Sequence, residues 1–267
     1  MATSFTERYG TWALITGAAR ASGLGYTFAR HLAAQGMNLV LVDILQVELN
    51  QRADELRQQY GVEVRPITAD LAFSDFMSVL VQETQHIEVG LLVCNHMYTP
   101  ADTPKILDMD LATHHRMIDI NARAYTTLIH TFGNMMRARH RGGIVIVASG
   151  AGLVPAPYTG AYSANKAFQI ALGETLWYEL KGTGVDVLVV VAGLMNTQGD
   201  ALSKYPKMMI SETDPVVTEV LATLGKRHMV IPGRLNKLFM FLQLKLMSRQ
   251  QAITSIGSFM TNGLGKN

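Results

Sequence analysis

The chain has 267 residues, of which 48% are hydrophobic and 16% charged, and its formal net charge is +2. This apolar content supports a large core and excludes a disordered chain, while the near-neutral charge gives no reason to expect a nucleic-acid partner. Cys94 is the only cysteine, so no intrachain disulfide can form, and the first residues lack a signal-peptide pattern. These features predict a cytoplasmic protein, and we predict no metal site.

A glycine-rich segment separates the first predicted strand from the first predicted helix. The strand covers residues 11–16, the glycine-rich segment covers 17–25, and the helix begins near Leu24. This order is typical of a dinucleotide site, because glycine lets the backbone approach the pyrophosphate and the helix N-terminus attracts its charge. A plain tight turn is the alternative. The predicted cofactor contacts in this segment are Gly17, Arg20, Ser22, Gly23 and Leu24.

The second predicted strand, residues 38–43, indicates which cofactor is used. It ends in Asp43, which is placed to accept hydrogen bonds from the adenosine ribose hydroxyls. A carboxylate there repels a 2′-phosphate and favours NAD over NADP. Arg20 argues the other way because it can pair with that phosphate, but an unpaired carboxylate facing a phosphate is costly and we give Asp43 more weight. The alternative for Asp43 is an N-cap of the next helix, predicted over 46–60.

Two further strands carry candidate cofactor contacts. Asp70 and Leu71 follow the third strand, residues 62–68, where Asp70 can meet the adenine amino group. Capping of the next helix is an equal alternative for Asp70. Asn95 ends a fourth strand over 90–95, and we predict that it also contacts the cofactor.

Asn121 is the first candidate catalytic residue in the chain. After a helix predicted over 105–118, it falls in a long helical stretch that runs to about residue 140. An amide in such a helix usually faces solvent. The alternative is that Asn121 interrupts the helix and holds a water next to Lys166.

The other candidate catalytic residues follow a buried strand at residues 144–147. Ser149 ends this strand, and Tyr162 and Lys166 are four residues apart, on one face of a helix. A neighbouring ammonium favours the phenolate and lowers the pKa of a tyrosine, so that the phenol can exchange a proton with a substrate oxygen. Ser149 can hold the same oxygen. The set predicts alcohol oxidation or ketone reduction.

The last third of the chain begins with a sixth strand over 184–191. Met195 and Thr197 follow it, and Thr197 is placed to bond the nicotinamide carboxamide or the pyrophosphate. Residues 198–212 show no regular hydrophobic periodicity and are predicted to form a lid over the site. Several methionines in this part of the chain favour a large apolar substrate.

An apolar tail with helical spacing covers residues 235–267. One interpretation is a helix packed on the core or on a second subunit. The other is that residues 235–262 touch a membrane peripherally or close over an apolar substrate.

The alternation of strands and helices predicts a parallel sheet with helices on both faces. Over about residues 10–232, the motifs resemble the short-chain dehydrogenase/reductase family. The resemblance implies an α/β, Rossmann-type, doubly wound fold of three layers in a single domain, 1–267, and a homodimer or homotetramer paired through helices at 111–138 and 162–181. The family's catalytic tetrad is matched by Asn121, Ser149, Tyr162 and Lys166.

The resemblance also implies a role for each member of the tetrad. Tyr162 is the acid and base, and Lys166 lowers its pKa and binds the nicotinamide ribose. Ser149 orients the carbonyl, and Asn121 supports a water-linked proton relay.

Three departures from the family pattern stand out. The glycine loop has two extra residues, which we expect to bulge outward around Arg20 or to alter cofactor choice. Longer loops occur in the enoyl-reductase branch, but that branch spaces its tyrosine and lysine more widely. His96 and Met97 replace small residues beside the cofactor, and Ala192 replaces a proline. His96 is either a packing substitution or a pocket residue with a chemical role.

Two functions follow from these predictions. The first is an NAD-dependent oxidoreductase acting on a bulky, apolar secondary alcohol or ketone of steroid, aromatic, fatty-acyl or polyketide-like character. The second is a catalytically silent family member that binds a nucleotide or a partner. The complete tetrad favours the enzyme.

Overall fold

The computed structural model describes residues 4–100, 104–197, 202 and 205–264. A seven-stranded parallel sheet forms its centre, in the order β3-β2-β1-β4-β5-β6-β9. The strands are β1 (Trp12–Thr16), β2 (Asn38–Asp43), β3 (Val64–Thr68), β4 (Val89–Cys94), β5 (Gly142–Ser149), β6 (Val185–Ala192) and β9 (Met229–Val230), and β7 (Leu194–Met195) pairs separately with β8 (Ile210–Ser211). The strand order reverses beside β1, where sheets of this type bind ligands at the carboxyl ends of their strands.

Helices cover both faces of the sheet. On one face lie α2 (Leu24–Ala33), α3 (Gln46–Tyr60) and α9 (Thr213–Thr223), and on the other lie α4 (Phe76–Thr84), α6 (Ala124–Ala138) and α8 (Tyr162–Glu179). Along β1, Ala13 and Ile15 face the first layer, whereas Trp12 and Leu14 face the second. A strand buried on both faces requires a continuous apolar run. The predicted three-layer, doubly wound fold is confirmed.

The predicted strands of the main sheet agree with the structure to within two residues, but one helix begins later than expected. The helix predicted over 105–118 is α5 (Leu111–Ile118). Asp110 sets its start, because the Asp110 side chain accepts a hydrogen bond from Thr113 N (2.8 Å). A π-helical turn, Asp119–Arg123, then separates α5 from α6. Short helices α1 (Phe5–Tyr9) and α7 (Gly150–Leu153) complete this part.

The tail forms α10 (Arg234–Phe241), a π-helical turn and α11 (Arg249–Leu264). It packs against the segment that follows Ser149: Met240 and Ala252 are buried with Val154. Tyr205, in the proposed lid, packs on Phe259 of α11 with ring centroids 5.1 Å apart. The lid residues 198–201, 203 and 204 lie outside the described residues. Among the helices that the structure describes, none has the length and apolarity to span a membrane.

α8 approaches the sheet closely at Gly173. A Cβ atom there would lie 2.4 Å from Cγ2 of Val189 and 3.0 Å from Cδ1 of Ile146, both in the sheet. At Gly133 of α6, a Cβ atom would lie 3.4 Å from Ile144 Cδ1, which is ordinary contact. The position of α8, and of the residues at its start, therefore depends on residue 173 being a glycine.

Gly173→Ala should destabilise the protein by about 1–3 kcal/mol, because the added methyl group overpacks a buried contact. Gly133→Ala is the matched control. It should be neutral or stabilising by up to about 1 kcal/mol, since alanine favours a helix over glycine. Urea unfolding of both variants measures the difference. Equal stabilities would show that α8 shifts freely and would contradict this account.

Candidate active site

The glycine loop closes on itself at the carboxyl ends of β1 and β4. Gly17 has φ +70°, a left-handed conformation that glycine adopts without strain. A Cβ atom on Gly25 would lie 2.2 Å from Gly17 O. The start of α2 can therefore approach the loop this closely only because residue 25 is a glycine. Asn95 Nδ2 donates to Thr16 O (3.2 Å) and Gly17 O (3.0 Å). Asn95 thus holds the loop in position.

A short turn around Arg20 projects from this loop without opening it. Gly23 N donates to Arg20 O (2.8 Å), which closes a turn. Arg20, Ala21 and Ser22 are exposed in this turn, whereas Leu24 at the start of α2 is buried. The expected bulge around Arg20 therefore leaves Gly17 and Gly25 adjacent.

Asp43 connects the end of β2 to the glycine loop. One carboxylate oxygen accepts from Ala19 N (3.0 Å), and the other accepts from Ile44 N (2.8 Å) and Leu45 N (3.2 Å). Leu45 takes the N-cap position of α3, so the helix-cap alternative for Asp43 is wrong. The side chain is partly exposed beside the loop.

Asp70 is held at the end of β3. Its carboxylate accepts from Ala72 N (2.9 Å) and pairs with Arg116 of α5 (2.8 Å). Since α4 begins at Phe76 with Asp75 as its N-cap, Asp70 does not cap that helix. The neighbouring Leu71 is buried in the core.

Met195 and Thr197 lie past the end of β6. Met195 packs against the core of the α2 face, and Thr197 N donates to Met195 O (2.7 Å). Both side chains are partly buried. The segment forms the border between the sheet and the proposed lid.

Ser149, Tyr162 and Lys166 come together where β5 meets α8. Ser149 Oγ accepts from Ala151 N (3.2 Å), and the Ser149 hydroxyl lies near the phenol of Tyr162, the first residue of α8. Lys166 Nζ lies 5.6 Å from the centroid of the Tyr162 ring. The ammonium donates to Val147 O on β5 (2.9 Å). Ser149 and Tyr162 are partly exposed, whereas Lys166 is buried.

The electrostatics of this cluster differ from the expectation for Tyr162. Burial raises the pKa of Tyr162, and the nearby Ser149 hydroxyl opposes this increase. Burial also lowers the pKa of Lys166 to about 7, because a low-dielectric site disfavours the ammonium. The pKa of Tyr162 is therefore raised by burial, whereas the neighbouring Lys166 was expected to lower it.

Asn121 lies in the π-helical turn, as an interruption of the helix requires. Its side chain accepts from Tyr98 N (2.8 Å) and donates to Tyr98 O (2.7 Å), so it clamps the chain that follows β4. The backbone carbonyl oxygen of Asn121 accepts a hydrogen bond from Gln169 Nε2 (2.7 Å). Sequence analysis missed Gln169, although its position three residues after Lys166 puts both on one face of α8.

His96 is a buried part of the same region. Thr16 Oγ1 lies 2.7 Å from Nδ1, and Nε2 lies 3.0 Å from Ile120 O. A carbonyl only accepts, so Nε2 carries the proton and Nδ1 accepts from Thr16. Burial, with a contribution from Lys166, lowers the pKa of His96 to about 3. The side chain is a neutral bridge, consistent with the packing interpretation. The described residues contain no group of three His, Cys, Asp or Glu side chains placed to hold a metal.

Acidification should destabilise the protein through His96. An unfolded histidine has a pKa of about 6.5, whereas the folded value is about 3. Between these values the unfolded state binds the extra proton, so stability is full above the unfolded pKa and falls as the pH falls. In urea unfolding at pH 7, 6 and 5, His96→Gln should lose less stability than the wild type.

His86→Gln is the matched control, because His86 is exposed. It should show the wild-type slope. A wild-type slope in His96→Gln as well would contradict the neutral, buried histidine.

The comparisons with known proteins agree with this geometry. A family model described as short chain dehydrogenase matches residues 11–205. The 7beta-hydroxysteroid dehydrogenase of Collinsella aerofaciens is 32% identical over 241 residues, which cover 86% of this chain and 89% of that protein. A solved structure concerned with 7beta-hydroxysteroid dehydrogenase stereoselectivity is 30% identical with a TM-score of 0.89, over 95% of this chain and 99% of its own.

A short-chain dehydrogenase from Sphingobium yanoikuyae in complex with NADPH is 27% identical with a TM-score of 0.73, over 83% of this chain and 86% of its own. Family match, sequence identity and fold thus point the same way over most of the chain. The chain belongs to the short-chain dehydrogenase/reductase family, and it is an oxidoreductase of that family.

Proposed function

We propose that the protein is an NAD-dependent oxidoreductase that transfers a hydride between the nicotinamide and a bulky, apolar secondary alcohol or ketone. The observation that carries this proposal is the meeting of Ser149, Tyr162 and Lys166 at the end of β5. The glycine loop lies at the same edge of the sheet, after β1. A hydride partner bound on that loop and a proton acceptor at Tyr162 are the two parts that alcohol oxidation needs.

Each member of the cluster has a distinct role. Ser149 holds the substrate oxygen by a hydrogen bond, and Tyr162 takes the hydroxyl proton during oxidation or returns it during reduction. Lys166 stabilises the phenolate of Tyr162 through its nearby positive charge. The bound cofactor accepts or supplies the hydride, and its oxidised ring carries a positive charge that also favours the phenolate. Asn121 keeps the neighbouring backbone in place through Tyr98.

The substrate proposal rests on the apolar elements beside this cluster. Met240 of α10 lies next to the turn after Ser149, since its Sδ would be 3.4 Å from a Cβ atom on Gly150. Met195 and Met208 follow on the lid side, and methionine side chains adapt to large apolar ligands. The name of the Collinsella aerofaciens relative supports a steroid alcohol as the first substrate to test.

The cofactor proposal rests on Asp43, whose carboxylate lies beside the glycine loop. A 2′-phosphate at that position would face a negative charge already held by three backbone N–H groups. Two observations favour NADP instead. Arg20 is exposed in the adjoining turn, where it can pair with a 2′-phosphate, and the Sphingobium yanoikuyae structure is a complex with NADPH. We give the carboxylate more weight, because its position is determined by hydrogen bonds.

Asp43→Asn should weaken the preference for NADH over NADPH by about tenfold or more, because it removes the charge that repels a phosphate. Quenching of the fluorescence of Trp12 and Trp177 during titration with each cofactor measures both affinities. Asp54→Asn, on the exposed surface of α3, is the control and should bind as the wild type does. A wild type that prefers NADPH would overturn the cofactor proposal.

Tyr162→Phe should lower kcat by about 100-fold to 10,000-fold, because general acid–base catalysis is lost. NADH binding should change little, since only a hydroxyl is removed. Tyr178→Phe is the matched control on the same helix, where Tyr178 is exposed, and it should keep full activity. Steroid alcohols with NAD, followed at 340 nm, provide the assay.

The same assay tests the competing function. A wild type that binds NADH but oxidises no alcohol would favour the catalytically silent alternative. Unchanged turnover in Tyr162→Phe would instead overturn the mechanism while leaving the enzyme class intact.

We also propose that the protein works in the cytoplasm as a homodimer or homotetramer. Exposed apolar residues on α6 and α8, such as Met135 and Phe168, support pairing through these helices.

The tail exposes Leu238, Phe241 and Leu246, and residues 220–267 contain no acidic residue. This composition supports peripheral contact with an anionic membrane. Light scattering tests the pairing, and co-sedimentation with phosphatidylserine vesicles tests the membrane contact.

A further inference from the structure

Gln169 joins two members of the predicted tetrad directly. Its Oε1 accepts from Lys166 Nζ (2.9 Å), and its Nε2 donates to Asn121 O (2.7 Å). An ammonium only donates and a carbonyl only accepts, so these two partners determine the orientation of the carboxamide. One side chain therefore spans the distance between the catalytic lysine and the π-helical turn.

The surroundings of Gln169 are closed to solvent. Gln169 and Asn121 have no exposed surface, and Lys166 is 2% exposed. Lys166 Nζ lies 5.9 Å from the centroid of the Tyr125 ring, and the Tyr125 hydroxyl donates to His96 O (2.8 Å). The carboxamide thus belongs to a buried polar network whose members satisfy one another, which makes each member's position well determined.

We propose that Gln169 is a positioning residue that takes the place of the relay water between Asn121 and Lys166 that the family resemblance implies. This inference rests on the proposed function of Tyr162 and Lys166. The carboxamide directs the Lys166 ammonium toward the tyrosine by a direct hydrogen bond. The backbone carbonyl of Asn121 in turn holds the carboxamide.

This replacement changes the path of the proton. A water passes a proton on because one oxygen atom both accepts and donates. A carboxamide accepts at oxygen and donates at nitrogen, so passing a net proton would leave it as the unfavourable imidic acid. Gln169 therefore blocks proton transfer between Lys166 and Asn121. The remaining route for the Tyr162 proton is direct exchange with solvent, since Tyr162 and Ser149 are both partly exposed.

Two substitutions of Gln169 separate positioning from packing. Gln169→Leu keeps most of the volume but offers Lys166 no acceptor. Gln169→Ala leaves space lined by polar atoms of Lys166, Asn121 and Tyr125, which is enough to bind a water. We expect kcat to fall about 10-fold to 100-fold in the leucine variant, as for a lost hydrogen bond to a charge. The alanine variant should lose less activity than the leucine variant, because a bound water again offers Lys166 an acceptor.

A packing role predicts the opposite order, because alanine removes more contacts than leucine. The pH profile adds a readout that packing does not move. In the leucine variant the acid limb of kcat for alcohol oxidation should shift to higher pH, since a less stabilised ammonium supports the phenolate less. In the alanine variant the limb should stay in place. KM, NADH affinity and melting temperature monitor folding and binding.

Crystal structures complete the test independently of turnover. The wild type should show the Gln169 carboxamide on Lys166 and Asn121, and the alanine variant should show a water there. A leucine variant as active as the wild type, or more active than the alanine variant, would overturn the proposal. So would a wild-type structure with a water between Lys166 and Asn121. If the wild type turned over no alcohol, the proposed function would fail while the structures still tested the placement.

Discussion

A lysine ammonium buried at 2% exposure needs hydrogen-bond acceptors, and the elements around the site supply them. One acceptor is Val147 O, near the carboxyl end of β5, and the other is the carboxamide of Gln169 on α8 itself. The carboxamide has a donor that requires its own acceptor, which is Asn121 O in the π-helical turn. Strand, helix and turn therefore meet around the charge of Lys166. The π-helical turn lies where its backbone carbonyl can accept the hydrogen bond from Gln169.

Close packing makes this meeting possible. Gly152 of α7 approaches α8 so nearly that a Cβ atom would lie 2.6 Å from the backbone carbon of Lys166. Gly173 lets the same helix lie against Val189 in the sheet. The start of α8, with Tyr162, is thereby brought to the end of β5, where Ser149 lies. Glycines at these helix contacts thus position the proposed catalytic cluster.

The sequence predicts most of the fold because the strands are buried on both faces, which produces apolar runs such as residues 39–42 and 187–192. It predicts the neighbourhood of Tyr162 and Lys166 because helical spacing is regular. It does not predict the direction of the tyrosine pKa, since spacing reveals a neighbour but not the degree of burial. Gln169 was missed because no short motif marks a single polar residue whose partners are distant in sequence.

The proposed cofactor loop and the proposed catalytic lysine form one connected unit. From the end of β1, Thr16 bonds His96, and His96 bonds the π-helical turn at Ile120. The next residue in that turn accepts from Gln169, which holds Lys166. Each link is a buried hydrogen bond whose loss would leave a polar group unpaired, so the links are costly to break separately. The glycine loop and the ammonium are therefore held in one frame before substrate binds, which is the preorganisation that electrostatic catalysis requires.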